Sequence, residues 1–279
     1  MPIHDQSYRH YEGRRAPKGV AWQVIARTGI ATMIRKRAFI GLLLLAWIPF
    51  AVRAVQIYLA TTYPQATFLA ATAATFREFL DQQELFTFFI AIWAGAGLVA
   101  NDKRASALQI YLSKPLTRVE YIAGKLVILV VFLLLVTWVP AMLLLLLQLL
   151  FAGNFTFIRQ NLFLFPAITL YSFLQVAVVS FTMLALSSLS KSSRFVAILY
   201  AGVVFFSSAV YGLLYLITRN SSLSFLSFSL NLQQLGYVIF RLKPLHSTPW
   251  FISLATALAI IAIAMLVLER QVRGVEVVT

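Results

Sequence analysis

The sequence predicts an all-α, polytopic membrane protein. It has six transmembrane helices, an N-terminal amphipathic interfacial helix and a cytoplasmic polar hairpin between helices 2 and 3. Three observations predict this. Hydrophobic residues make up 61% of the chain and charged residues 11%, against about 45–50% and about 25% in soluble domains. Uncharged runs recur near or above the roughly 20 residues that cross a bilayer, where only helices and closed barrels satisfy their own backbone. Basic residues gather in alternate connections, as they do when every second loop faces the cytoplasm.

Residues 1–37 form a cytoplasmic tail and the amphipathic helix. Pro17 suits a first helical turn. Trp22, Ala26, Ile30 and Met33 then share one face, with Arg27 off it. Arg35, Lys36 and Arg37 close the segment, where anionic headgroups favour cations. A water-exposed extension of the first span is the competing reading.

The membrane domain occupies 38–268, and 269–279 is a cytoplasmic tail. Span one covers about 38–60. Arg53 lies towards its far end, where a guanidinium either snorkels to the interface or faces a polar pathway. Residues 61–83 read as a polar connection with an outer interfacial helix, since Phe68, Thr72, Phe76, Phe79 and Leu80 share a face.

Span two, 85–100, is short. It carries Ala91, Gly95 and Gly97, small residues that let helices approach closely. Span three, 126–150, contains Pro140 and should kink. Span four runs over 162–189 and span five over 195–218, with Ser208 and Gly212 as a second small pair. Within 219–249, residues 227–232 alternate like a strand, while Leu235, Val238, Ile239 and Leu242 keep helical spacing. A partly re-entrant or interfacial hairpin is the expectation there. Span six is 250–268.

Six spans put both termini on one side. Seventeen of the 23 basic residues fall on that side and six on the other. The positive-inside rule then places the termini and the 101–125 hairpin in the cytoplasm. It also accounts for the net charge of +14 without nucleic acid.

The nine carboxylates and three histidines all lie outside these runs, which argues against a proton-coupled carrier. No phosphate loop, paired intramembrane aspartates or zinc-protease motif is present, so the chain is not expected to be an enzyme. With no cysteine, and His246 alone among soft ligands in the outer segments, no metal site is expected.

The hairpin stands out between two apolar runs. Five of its residues are basic and two acidic. Residues from Ala105 to Leu112 can form a short helix with Leu108 and Leu112 one turn apart, stopped before Pro115 by the restriction on Lys114. Thr117 with Glu120 is a capping-box signal for a helix running into span three. An ordinary solvated loop with a capped helix start is the plain alternative.

Residues 106–125 resemble the loop between spans two and three of bacterial ABC-2 type permeases. The match is carried by Leu108, Leu112, Ser113, Pro115, Arg118, Tyr121, Gly124 and Lys125. Two departures stand out: Ser106 and Ala107 replace the usual Gly-Thr, and Lys103 and Arg104 stand where an acidic run is common.

The resemblance implies a permease of the bacterial cytoplasmic (inner) membrane, multi-pass, working as an exporter. It also implies a second permease copy, as homodimer or heterodimer, and two ABC ATPase subunits that bind ATP and Mg. This chain itself holds no cofactor. Asp102, Arg104, Leu108, Leu112, Pro115, Arg118 and Glu120 would couple to the ATPase. Ala91, Gly95, Gly97, Ser208 and Gly212 would serve helix packing or the pathway.

The alternative function is a non-transporting membrane anchor or assembly factor that recruits a cytoplasmic partner through the same hairpin. Spans with scattered Ser, Thr, Gln148 and Gln175 suit amphiphilic or lipid-like cargo, although lipid-facing helices look the same.

Overall fold

The structure, a computed structural model, describes residues 20–63, 65, 70–107, 116–152 and 161–272. Among these residues all regular elements are helical. They are α1 (Ala21–Ile34), α2 (Arg37–Ala46), α3 (Ile48–Thr62), α4 (Ala73–Gly95), α5 (Ala100–Arg104), α6 (Arg118–Val136) and α7 (Trp138–Ala152). There follow α8 (Leu164–Leu189), α9 (Ser193–Thr218), a 3-10 turn (Ser221–Leu226), α10 (Phe228–Ile239) and α11 (Trp250–Gln271). Six segments are long and apolar enough to cross a membrane: Arg37–Thr62, Ala73–Arg104, Arg118–Phe151, Leu164–Leu189, Ser193–Thr218 and Trp250–Gln271. The chain is a multi-pass membrane protein.

Three of these spans are broken, each for a local reason. Pro49 lacks an N–H and splits the first span at Trp47 into α2 and α3. The buried Gln83 donates to the Ala46 carbonyl at that break, at 2.9 Å. The third span breaks at Thr137, one turn before Pro140, as the proline suggested. The second opens into a turn over 96–99 between α4 and α5. Ser187 of α8 seals that turn by accepting from the Val99 and Ala100 amides and donating to the Ala96 carbonyl.

Spans two, three and four form the centre. More than half of the apolar window is buried in spans two and four, but only 11% in span one and 17% in span five. The outer spans therefore leave most of their surface uncovered by the rest of the chain. Helix α8 packs against α4, α6, α9, α10 and α11.

Helix α1 lies across α6, with Ala26 buried, Trp22, Ile30 and Met33 half-buried, and Arg27 exposed. Two glycines make this crossing possible. A Cβ on Gly29 would strike Ile128, and one on Gly124 would strike Ile25 and the Trp22 carbonyl.

Two expectations change. Among the described residues of 61–83 there is no separate interfacial helix before a short span. From Ala73 one helix runs unbroken to Gly95, and with α5 the segment of 32 residues is about 48 Å long. Glu78, Asp81 and Glu84 thus belong to the span helix, at the end away from the hairpin. The roughly 30 Å hydrocarbon layer covers only part of such a length.

The alternating stretch 227–232 is no strand either. It opens α10, whose Asn231 donates to the carbonyls of Phe225 and Ser227.

Candidate functional site

The polar side chains cluster at the two ends of the bundle, with a thinner set between them. At the hairpin end Asp102 of α5 faces the first turns of α6. Its carboxylate pairs with Lys125 at 2.7 Å and accepts from the Tyr121 hydroxyl at 2.7 Å. Thr117 and Glu120 form the anticipated capping box: the Glu120 amide donates to Thr117 Oγ1 at 3.2 Å, and Glu120 Oε2 accepts from the Thr117 amide at 2.9 Å. The two arms of the hairpin are therefore tied at their base.

Lys103 turns the other way. Its ammonium donates to the Ser188 carbonyl and, at 2.9 Å, to Gln271 Oε1. It joins α5 to the ends of α8 and α11. Arg104 and Arg118 are exposed beside the hairpin. Leu108, Leu112 and Pro115 lie outside the described residues.

The small residues of the spans go to different places. Ala91 and Gly95 are buried within the chain itself, and a Cβ on Gly95 would strike Met183 of α8 and Leu129 of α6. Gly97 sits in the 96–99 turn, against the Asn101 side chain. On α9, Ser208 bonds to the Val204 carbonyl and to the Ser227 hydroxyl, at 2.9 Å for the latter. Gly212 faces open space.

Between the ends, Glu84, Thr87, Gln175 and Tyr200 line a cavity of about 20 Å³ under α10, the size of one water.

Sequence reasoning missed the opposite end. Arg77 is wholly buried, pairs with Asp81 at 2.8 Å, and lies 4.3 Å from the Tyr171 ring centroid and 5.4 Å from that of Tyr237. Gly236 of α10 leaves it room, since a Cβ there would strike the Arg77 guanidinium. Arg53 neither snorkels free nor faces a pathway alone: it pairs with Glu78 at 3.0 Å and bonds Gln56 at 2.8 Å.

Hydroxyls clasp the loop after α9. Ser224 meets Thr248 at 2.6 Å, Ser221 and Ser222 meet Ser247, and Gln234 donates to the His246 and Thr248 carbonyls. Burial lowers His246 below its ordinary value, so its ring is neutral at pH 7 and can accept from the Tyr211 hydroxyl. The run of serines over 221–229 was the available signal for this clasp. Arg77 gave only its i,i+4 spacing to Asp81, because the rings that cover it, Tyr171 and Tyr237, lie far away in sequence.

A family model described as ABC-2 family transporter protein matches residues 23–271. The match takes in most of α1, all six spans and the hairpin. No curated protein matches the chain.

Proposed function

The chain belongs to the ABC-2 family of transporter proteins, and on that premise we propose that it is the permease subunit of an ATP-binding cassette exporter. A separate ATPase, present in two copies and binding ATP and Mg, docks on the 101–125 hairpin. A second permease copy completes the pathway. The observation that carries this reading is the family match over nearly the whole chain, since it includes both the membrane helices and the polar segment joining spans two and three.

The geometry at the hairpin base supports it. A push on the hairpin reaches α6 through the Asp102–Lys125 pair and the capped start at Thr117. It reaches α8 and α11 through Lys103. A solvated linker needs no such bracing. The acidic run common at this place in the family is replaced by Lys103 and Arg104, and Lys103 is occupied inside the chain. Among the described residues of the hairpin, Arg104 and Arg118 are then the cations free to meet the ATPase.

The test is affinity purification of the tagged chain from its native membrane. A phosphate-loop ATPase should co-purify, and its turnover should fall in the Leu108→Asp, Leu112→Asp variant. If no ATPase accompanies the wild-type chain, or the double variant leaves turnover unchanged, this reading is wrong. An accompanying cytoplasmic protein without ATPase activity would identify an anchor instead.

A further inference from the structure

A cavity lies at the hairpin end of the bundle, walled by α1, the α4–α5 turn, α6 and the start of α9. Its volume is about 650 Å³, within the range of pockets that hold small ligands. One wall is apolar and reaches the lipid-facing surface, where Val24 is 65% and Trp93 45% exposed. The other carries charge.

Of the four charged groups lining it, Asp102 and Lys125 cancel in their 2.7 Å pair. Lys36 and Arg194 remain. Among the described residues neither pairs with a carboxylate, and the Lys36 ammonium has only the Met33 sulfur at 3.6 Å. An apolar wall open to lipid and two unbalanced cations make an amphipathic socket. Basic pockets between membrane helices select anionic headgroups in this way.

We propose that this cavity binds an anionic phospholipid from the leaflet on the hairpin side. Lys36 and Arg194 hold the phosphate, and the acyl chains lie along Val24 and Trp93. The lipid then bridges α1 and α9, two elements that the hairpin base does not otherwise tie together. This site is independent of whether an ATPase docks nearby.

The test uses the full-length chain in a neutral detergent, titrated with dihexanoyl-phosphatidylglycerol, dihexanoyl-phosphatidylcholine and inorganic phosphate. At roughly fivefold per cation, the anionic lipid should bind about 25-fold more tightly than the zwitterionic one. Lys36→Gln with Arg194→Gln should abolish that preference, and Thr28→Trp, which fills the cavity without changing charge, should abolish binding of both lipids. Arg35→Gln with Arg37→Gln removes two exposed cations outside the cavity and should leave the preference in place. Equal binding of the two lipids overturns the proposal, as does an equal loss in the two charge-removal variants. Competition by inorganic phosphate at the same concentration as the lipid overturns the lipid assignment and leaves a free-anion site.

Discussion

Arg77 is the residue whose environment departs most from its chemistry. A guanidinium taken out of water is tolerated only when it is paired and its faces are covered. Asp81 supplies the charge, Tyr171 and Tyr237 cover the plane, and Gly236 leaves the space. Arg77→Met leaves Asp81 without its cation. Because Asp81 keeps 27% of its side chain in solvent, we expect a loss of about 2–3 kcal/mol, at or below the lower end of the range for broken buried pairs, read as a lower unfolding temperature in detergent. Gly236→Ala should also destabilise, by forcing the guanidinium off its seat. In an Arg77→Ala background the same methyl has no guanidinium to displace, so the two costs should fall well short of adding. Additive costs in that cycle would mean that Gly236 serves some purpose other than seating Arg77.

At the scale of elements, what decides the architecture is how helix breaks and crossings are sealed. Ser187 serves three backbone groups of the 96–99 turn at once. Ser187→Ala strands two buried amides and should cost about 1–3 kcal/mol, visible as faster hydrogen exchange at Val99 and Ala100. Gly124→Val should lift α1 from α6, because the added methyls meet the Trp22 carbonyl as well as Ile25. Trypsin should then cut after Arg27 faster than in the wild-type chain, with the six spans still protected. Unchanged cleavage would show that α1 is held by something other than this crossing.

These seals also mark where the sequence was legible. The apolar runs, the face of α1 and the Thr117–Glu120 box are local patterns, and each can be read from a few neighbouring residues. The continuity of 73–95 could not be read so, because the charges at Arg77, Glu78 and Asp81 read as the polar side of a separate interfacial helix until Tyr171 and Tyr237 are seen to cover Arg77, and Arg53 to pair with Glu78. Only the later part of α10 kept a legible helical spacing; its start alternated like a strand, and the carbonyls of His246 and Thr248 that satisfy Gln234 lie beyond its own segment. At the hairpin, Lys103 looked like a partner-facing cation, yet its contacts are with Ser188 and Gln271 of the same chain.

For the whole molecule the decisive open variable is orientation, since every statement about a partner at the hairpin needs that end to face the cytoplasm. Charge asymmetry predicts the direction: seventeen basic residues lie on the side expected to hold the termini and six on the other, and such a bias sets the topology of multi-spanning chains. The chain has no cysteine, so single introduced cysteines report without background. Ser106→Cys beside the hairpin and Ser222→Cys in the turn after α9 are both at positions not fully buried. In intact cells an impermeant maleimide should label Cys at position 222 and spare position 106, and lysis should make both reactive. The reverse pattern would put the hairpin outside the cell, beyond the reach of any ATP-driven partner, and would remove the proposed function while leaving the fold untouched.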